Sequence, residues 1–399
     1  MSESTLFNSG NLFLIWLFAH IHGDNIKYEW LDMKKLVIAS DSFRGTMSSK
    51  EIADIFEEEA KIAYPGIQIE KVILGDGGEN TLDVFANHFE DGQYHKVNVT
   101  GPNFQKIEAE YFTFNDCAVI ELAKASGISL VSMKNPMVTT TYGVGELILD
   151  AYNKGYRNFL VALGGSSTND GGCGLLSALG IKFLNQNNET FIPVGGTLKE
   201  IKDIDTTGLL VKGSQFTILS DVRNPMFGPN GAAYVFAKQK GANPEQIEIL
   251  DQGLKHLNEL FKTYLNKDLE NIEGAGAAGA TSSGMMAFLN SKIVSGIDTI
   301  LEMVGFDSTI KDADYVFTGE GKLDYQSLNG KLISGVLKHT NKLNIPTICI
   351  CGKIDETNLP SNIFTRIYTT SNDILDKELI KKFAKDYYRE TVKRIFKEL

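Results

Sequence analysis

Short apolar runs alternate with amphipathic stretches along most of the chain after residue 33. The first run, LVIA at 36–39, precedes a polar turn and the stretch SKEIADIFEEEAKIAY, before which Ser48 and Glu51 have the spacing of a capping box. Five more apolar or β-branched runs are IQIEKVIL at 67–74, FLVAL at 159–163, FTILS at 216–220, YVFTG at 315–319 and TICIC at 347–351. This alternation predicts an α/β fold with parallel sheets that carry helices on both faces.

Between residues 94 and 123 the pattern changes to a period of two. The segments YHKVNV, IEAEYFTF and CAVIELA are separated by short turns, which is typical of antiparallel strands. Because this region interrupts two sets of alternating strands and helices, we predict two domains. Residues 33–85 plus 295–399 would form a Rossmann-like α/β domain with a parallel sheet, and residues 86–294 would form an inserted α/β domain with a mixed sheet.

Five of the predicted strands and turns end in polar clusters that each carry a carboxylate. The clusters and their candidate residues are SDSFRG with Asp41, Ser42 and Arg44; GDGGEN with Asp76 and Glu79; GGSSTNDGG with Asp170; SDVRNP with Asp221, Arg223 and Asn224; and TGEGKLDYQSLNGK with Gly319, Glu320, Lys322, Asp324 and Lys331. In open α/β sheets, ligands bind beyond the carboxyl ends of the strands. The clusters therefore predict one shared site.

The cluster LGGSSTNDGG at 163–172 lies between a strand and GCGLLSALG, a helix-like stretch. A long turn would account for the composition. A bend from strand to helix also directs backbone N–H groups and the positive end of a helix dipole at one point, which suits a phosphate. The candidates for phosphate binding are the backbone of Gly164, Gly165, Gly171 and Gly172 and the hydroxyls of Ser166, Ser167 and Thr168.

Composition excludes several classes of function. The 399-residue chain has a net charge of −11 at pH 7, which argues against nucleic acid or an acidic membrane as the main partner. The four cysteines lie in or beside apolar segments without metal-binding spacing, so we expect reduced core thiols in a cytoplasmic protein. The run Leu12–Ile21 is too short to span a bilayer, and we expect residues 1–32 to lie outside the fold.

Two nucleotide-binding motifs are absent or out of context. No G-x-x-x-x-G-K-[ST] pattern occurs, and GAGAAGA at 274–280 follows KDLENIE, which is not an apolar strand. A kinase with this sequence would therefore belong to a class without a P-loop. It would still need a positioned metal, charge neutralisation and a proton acceptor.

Eight segments, in this order, resemble the type I glycerate kinases. They are VIASDSFRGTMSS, GDGGENT, GPNFQ, TTTYGVGELILDA, LGGSSTNDGGCGLLSALG, SDVRNPMFGPNGAAYVFAKQKGA, GAGAAGATSSGMMAFL and TGEGKLDYQSLNGK, and they extend from about residue 33 to about residue 352. The resemblance implies ATP-dependent phosphorylation of D-glycerate, with 2-phosphoglycerate as the expected product, in a cleft between two α/β domains. Arg44, Ser220 and Lys322 depart from the family pattern, which has Lys, Cys and commonly Arg there.

This chemistry assigns expected roles to the clusters. Asp221 is favoured as the proton acceptor with Asp170 second, and Lys331 completes the catalytic set. Asp41, Ser42, Arg44, Asp76, Arg223, Asn224, Lys322 and Asp324 are expected to bind substrate; the 164–172 candidates, Gly319 and Glu320 would bind ATP with Mg²⁺. The metal ligands, the oligomeric state and the phosphorylated carbon stay open. A 3-phosphoglycerate-forming kinase, a phosphatase or mutase on a similar acid, and a non-catalytic binding protein are the alternatives.

Overall fold

The computed structural model describes residues 33–399 except 44, 76, 79, 329–331, 356, 358, 372–373 and 375. The predicted N-terminal extension, residues 1–32, therefore lies outside the described residues. So do four of the candidate residues of the polar clusters, Arg44, Asp76, Glu79 and Lys331.

A five-stranded sheet contains only parallel pairs and has the order β16-β14-β12-β1-β2. Its strands are β1 Lys35–Ile38, β2 Gln68–Lys71, β12 Tyr315–Thr318, β14 Thr347–Cys351 and β16 Arg366–Thr369. The chain runs from β1 to β2 on one side and then crosses to β12 on the other. This doubly wound order has its switch point between β1 and β12, where α/β sheets bind ligands.

A second sheet has six strands in the order β11-β10-β6-β5-β4-β3. Its strands are β3 Gln93–Thr100, β4 Lys106–Phe114, β5 Cys117–Glu121, β6 Asn158–Ala162, β10 Gln215–Leu219 and β11 Lys292–Val294. The pairs β3–β4 and β4–β5 are antiparallel, as the period of two predicts, and the other pairs are parallel. The predicted mixed sheet is confirmed.

Two small sheets complete the strands. One joins β7 Lys182–Leu184 to β8 Thr190–Phe191 and β9 Asp203–Asp205, and the other joins β13 Lys322–Leu323 to β15 Lys353–Ile354.

The α-helices occupy segments between strands, except the last helix, which follows β16. They are α1 Ser49–Ala63, α2 Thr81–His88, α3 Ala123–Ser126, α4 Tyr142–Asn153, α5 Cys173–Ala178, α6 Pro244–Leu265, α7 Ala277–Leu289, α8 Gly296–Met303, α9 Phe306–Ile310, α10 Leu332–Leu343 and α11 Lys377–Glu398. The predicted capping box begins α1: Glu51 N–H donates to Ser48 Oγ at 3.2 Å, and Ser48 N–H donates to the Glu51 carboxylate at 2.8 Å.

Apolar side chains form two main cores. One surrounds the parallel sheet and includes Phe56, Phe317 and Tyr388, and the other lies on the mixed sheet. The first also contains Phe114 and Leu219 from the mixed sheet, because α2 and α8 pack against that sheet. Every strand of each large sheet lies within one of the two predicted domains, while the domain division itself stays a prediction. The four cysteines are free and buried, as expected of core thiols.

Candidate functional site

Three strand ends meet closely at the switch point of the parallel sheet. Asp41 N–H donates to the Gly319 carbonyl at 2.9 Å, and Ser40 Oγ donates to the same oxygen at 3.0 Å. A Cβ atom at residue 319 would lie 1.8 Å from the Ile350 carbonyl oxygen. Glycine is therefore required at 319, and it brings Asp41 and Glu320 to the same edge of the sheet.

Two pockets share a wall that we call the Asp41 wall, formed by Asp41, Ser42, Thr46 and Met47. The larger pocket has a volume of about 930 Å³ and the smaller about 580 Å³. Both volumes are in the range that binds small molecules, about 300–1,000 Å³. The two pockets adjoin at these four residues, so ligands bound in them would be neighbours, which suits a reaction between two bound substrates.

The smaller pocket contains most of the substrate-binding candidates that follow β1 and β12. Glu320, Lys322 and Asp324 line it together with the Asp41 wall. Ile380, Ala384 and Tyr387 of α11 line it as well. Lys322 Nζ lies 3.3 Å from Asp324 and 3.4 Å from Asp355, and these contacts raise the pKa of Lys322. Because Lys322 is exposed, a substrate carboxylate has access to this ammonium group.

The larger pocket lies between the two large sheets. It is lined by Ser48–Glu51 at the start of α1, by Gly75, Gly78 and Asn80 before α2, and by Gly164 and Gly165 after β6. The Glu51 carboxylate contacts Lys385 at 2.6 Å, and this hydrogen bond lowers the pKa of Glu51 to about 2. The N-terminal end of a 15-residue helix and two glycines of the predicted phosphate loop thus line the same pocket.

Asp170 lies inside the protein and lines neither pocket. Its carboxylate accepts hydrogen bonds from Thr141 N–H and Oγ1, both at 2.8 Å, and from the N–H groups of Gly172 at 3.1 Å and Gly174 at 3.3 Å. Complete burial raises the pKa of Asp170, and the hydrogen bonds oppose that shift. The structure therefore does not bring Asp170 to a position where it could take a proton from a substrate in either pocket.

Other polar groups of the glycine-rich loop also form hydrogen bonds with other parts of the protein. Ser167 N–H and Oγ both donate to the Ser126 carbonyl at 2.9 Å, and Gly171 N–H donates to the Gly279 carbonyl at 3.1 Å. Ser166, Ser167, Thr168, Gly171 and Gly172 are all buried. Of the seven residues predicted to bind phosphate, the structure therefore places only Gly164 and Gly165 in the lining of a pocket.

The GAGAAGA segment forms the support beneath this loop. Ala278, Gly279 and Ala280 have φ values of 53°, 64° and 64°, so the second to fourth residues of α7 are left-handed. A Cβ atom at residue 279 would lie 2.2 Å from the Thr168 carbonyl oxygen. The motif serves close backbone packing against the loop, consistent with its failure as a dinucleotide fingerprint.

The cluster after β10 lies beside the larger pocket without lining it. Asp221 accepts a hydrogen bond from Gly296 N–H at 3.1 Å, Asn224 Nδ2 donates to the Asn230 carbonyl at 2.9 Å, and Arg223 is exposed. A Cβ atom at Gly77 would lie 3.0 Å from Leu219 Cβ. The segment before α2, which lines the pocket, therefore packs directly against the strand that carries Asp221.

Sequence reasoning missed Lys240, which is 3% exposed. Its Nζ donates to Ser166 Oγ at 2.8 Å and to the Thr168 carbonyl at 2.7 Å. Burial lowers the pKa of Lys240 to about 7, and the charge of Asp170 opposes this shift. The stretch AKQKGA has no apolar pattern that predicts burial of a lysine. The signal that could have indicated Lys240 is that this stretch belongs to one of the eight segments that resemble a known family.

The donor set of the pockets fits a hard divalent cation. Asp41, Ser42, Glu320 and Asp324 supply oxygen donors in the smaller pocket. Among the described residues no three His, Cys, Asp or Glu side chains group as a metal-binding set. Mg²⁺ in phosphoryl transfer commonly takes one or two carboxylates and completes its shell with phosphate oxygens and water, so this donor set is sufficient.

In the part of the chain that the structure describes, no helix has the length and apolarity needed to cross a membrane.

Comparisons with known proteins agree with one another. The model of the glycerate kinase family matches residues 36–399. A glycerate kinase of Bacillus cereus is 40% identical over 326 residues, which are 80% of this chain and 85% of that protein. The glycerate 2-kinase of Escherichia coli is 38% identical over 328 residues, 81% of this chain and 86% of that protein. The crystal structure of a Salmonella typhimurium LT2 protein assigned as glycerate kinase 2 has a TM-score of 0.80 and 32% identity, covering 92% of this chain and 98% of that one.

Proposed function

The chain belongs to the glycerate kinase family, and on that premise we propose that it transfers the γ-phosphoryl group of ATP to the C2 hydroxyl of D-glycerate. The products are 2-phospho-D-glycerate and ADP. The observation that carries the proposal is the pair of pockets on either side of the Asp41 wall, because a bisubstrate reaction needs two adjacent binding sites. The relative named glycerate 2-kinase supports the choice of C2.

We propose that ATP occupies the larger pocket and glycerate the smaller one. The larger pocket combines Gly164, Gly165 and the start of α1, which are suited to phosphates. The smaller pocket presents Lys322, whose ammonium would bind the glycerate carboxylate. Asp324 then holds Lys322 in place through their 3.3 Å contact.

For the proton acceptor, the geometry favours Asp41. Asp41 is part of the wall between the pockets, and Ser42 N–H donates to its Oδ1 at 2.6 Å, which orients the carboxylate. The sequence-based preference for Asp221 stays a prediction. Asp221 lines neither pocket, and its carboxylate accepts a hydrogen bond from Gly296 N–H at the start of α8. Glu320 or Asp324 would hold Mg²⁺, which would neutralise phosphate charge during transfer.

Two further expectations belong with this proposal. The predicted domains, residues 33–85 with 295–399 and residues 86–294, would close on the larger pocket, since residues of both line it. We also propose a cytoplasmic location and small-molecule partners only, because the four cysteines are free and buried and the net charge is −11.

The test is an ADP-release assay with D-glycerate, L-glycerate, glycerol and tartronate, followed by phosphorus NMR of the product. We expect ATP-dependent turnover of D-glycerate and a phosphorus resonance coupled to the C2 proton. Coupling to the C3 protons would instead identify a 3-phosphoglycerate-forming kinase. Phosphate release from added 2-phosphoglycerate in the absence of ATP would favour a phosphatase, and ligand binding without turnover would favour a binding protein.

A further inference from the structure

Lys240 is a buried residue at the end of two irregular helical turns. Residues Ala233–Ala237 form a π-helical turn and Lys238–Lys240 a 3₁₀ turn, so two uncommon helix types follow each other. Gly241 then ends the turn at φ 96°, where a Cβ atom would lie 2.2 Å from the Lys134 carbonyl oxygen. π-helical turns are frequent at functional sites, and in the 3₁₀ turn that follows this one Lys238 is exposed whereas Lys240 is buried.

The buried ammonium of Lys240 has a defined set of partners. It donates to Ser166 Oγ and to the Thr168 carbonyl, and Asp170 is the charged group that acts on it electrostatically. Burying an ammonium group is unfavourable unless its hydrogen bonds and charge are compensated. An apolar residue of similar volume would fill this position without the cost of burying an ammonium group, so the contacts of Lys240 point to a role in the loop itself.

The loop that Lys240 holds is fixed on its other side as well. Gly165 accepts a hydrogen bond from Ile128 N–H at 2.8 Å, and Ser167 N–H donates to Ser126 at 2.9 Å. Residues 165–168 are thus held between the 126–128 segment and Lys240. Gly165, the first residue of this loop, and Gly164 before it line the larger pocket.

We propose that Lys240 is a positioning residue for the phosphates of ATP. By holding Ser166 and Thr168 it fixes the direction of the Gly164 and Gly165 backbone at the edge of the larger pocket. The identity of the anion rests on the proposed function, whereas the role of the lysine in holding the loop rests on the contacts above.

The experiment compares Lys240→Met with Lys238→Met. Met keeps the unbranched stem of lysine and removes both hydrogen bonds, and Lys238 is an exposed residue of the same turn. We expect Lys240→Met to remain folded by circular dichroism and to raise the Kd for ATP, measured by calorimetry, and the KM for ATP by about 10- to 100-fold. The KM for D-glycerate should change less than about twofold, and Lys238→Met should match the wild type. A purely structural role would lower the folded fraction without separating the two KM values.

Ser166→Ala is the second variant, because it removes one acceptor and leaves the lysine in place. We expect it to raise the Kd for ATP by about 3- to 10-fold, and less than that in the Lys240→Met background. If Lys240→Met does not fold, Ser166→Ala decides the question.

Three outcomes would overturn the proposal. They are an unchanged Kd for ATP in folded Lys240→Met, an unchanged Kd in Ser166→Ala, or equal rises in both KM values. A wild-type chain that binds ATP without phosphorylating D-glycerate would contradict the proposed function alone, since the Kd comparison still tests Lys240. A wild-type chain that binds no ATP would overturn both.

Discussion

Two strand ends with similar residue types, SDSFRG after β1 and GGSSTNDGG after β6, have different surroundings in the folded chain. Asp41 after β1 lines two pockets, while Asp170 after β6 is completely buried and accepts four hydrogen bonds from its own neighbourhood. Both clusters contain a carboxylate, a hydroxyl and glycine. The comparison teaches that a polar strand end provides either contact with ligand or support for a loop, and that long-range packing decides between them.

The largest effect should come from Asp41, the member of the pair that lines the pockets. Asp41→Asn keeps the shape of the side chain and removes its capacity to accept a proton. We expect kcat to fall by about 10²- to 10⁴-fold with little change in melting temperature, as is typical for loss of a general base. Asp221→Asn is the matched variant, and a larger fall there than in Asp41→Asn would return the role of proton acceptor to Asp221.

The support of the buried loop should be the next most sensitive feature. Gly279→Ala would introduce a Cβ atom 2.2 Å from the Thr168 carbonyl oxygen, at a φ of 64°. We expect the free energy of unfolding, measured in urea, to fall by about 2–5 kcal/mol through strain and overpacking. Gly213→Ala is the control, because its φ is 77° but no atom lies within 4 Å, and we expect about 1–2 kcal/mol there. Equal losses would show that the contact with the loop is unimportant.

Asp170→Asn should separate stability from chemistry. The amide retains one oxygen but places an NH₂ group against the N–H donors that now face the carboxylate. We expect a loss of about 1–3 kcal/mol in the free energy of unfolding, since buried donors lose their acceptor. The kcat per folded molecule should fall far less than in Asp41→Asn. Abolished turnover with unchanged stability would instead make Asp170 catalytic.

The smallest effect concerns pH. Burial lowers the pKa of Lys240 to about 7 in the folded chain from the ordinary value of 10.5. Between these values the unfolded chain binds the additional proton, so this residue makes the protein more stable as pH rises from about 7 toward 10. Melting temperatures at pH 7 and pH 9 should therefore diverge more in the wild type than in Lys240→Met. A steeper rise in Lys240→Met would contradict this assignment.

Much of the fold was predictable from local pattern. The strands around 36–39, 216–220, 315–319 and 347–351 and the capping box of α1 all follow from apolar periodicity and helix-start residues. Asp41, Ser42, Lys322 and Asp324 were also predicted to act together, because parallel strands bring their carboxyl ends to one edge.

The interior of the site was less predictable. Nothing local distinguishes Lys240 from the exposed Lys238, or the buried Ser167 from a hydroxyl that faces ligand. Their environments depend on partners far along the chain, such as Ser126 and Gly279, and on left-handed backbone at Ala278 and Ala280. Sequence patterns record the period of an element, whereas these contacts arise only when separate elements pack.

The reactivity of the buried cysteines reports local unfolding of the two large sheets. Cys117 and Cys173 belong to the mixed-sheet side and Cys349 and Cys351 to β14 of the parallel sheet. Burial raises the pKa of Cys117 to about 12, and it also raises the pKa of Cys173. Because only an exposed thiolate reacts readily, alkylation followed by peptide mapping would record how often each sheet opens. The alkylation rates of these thiols can therefore measure the rate of local unfolding near the strand ends after β1 and β6 without an added label.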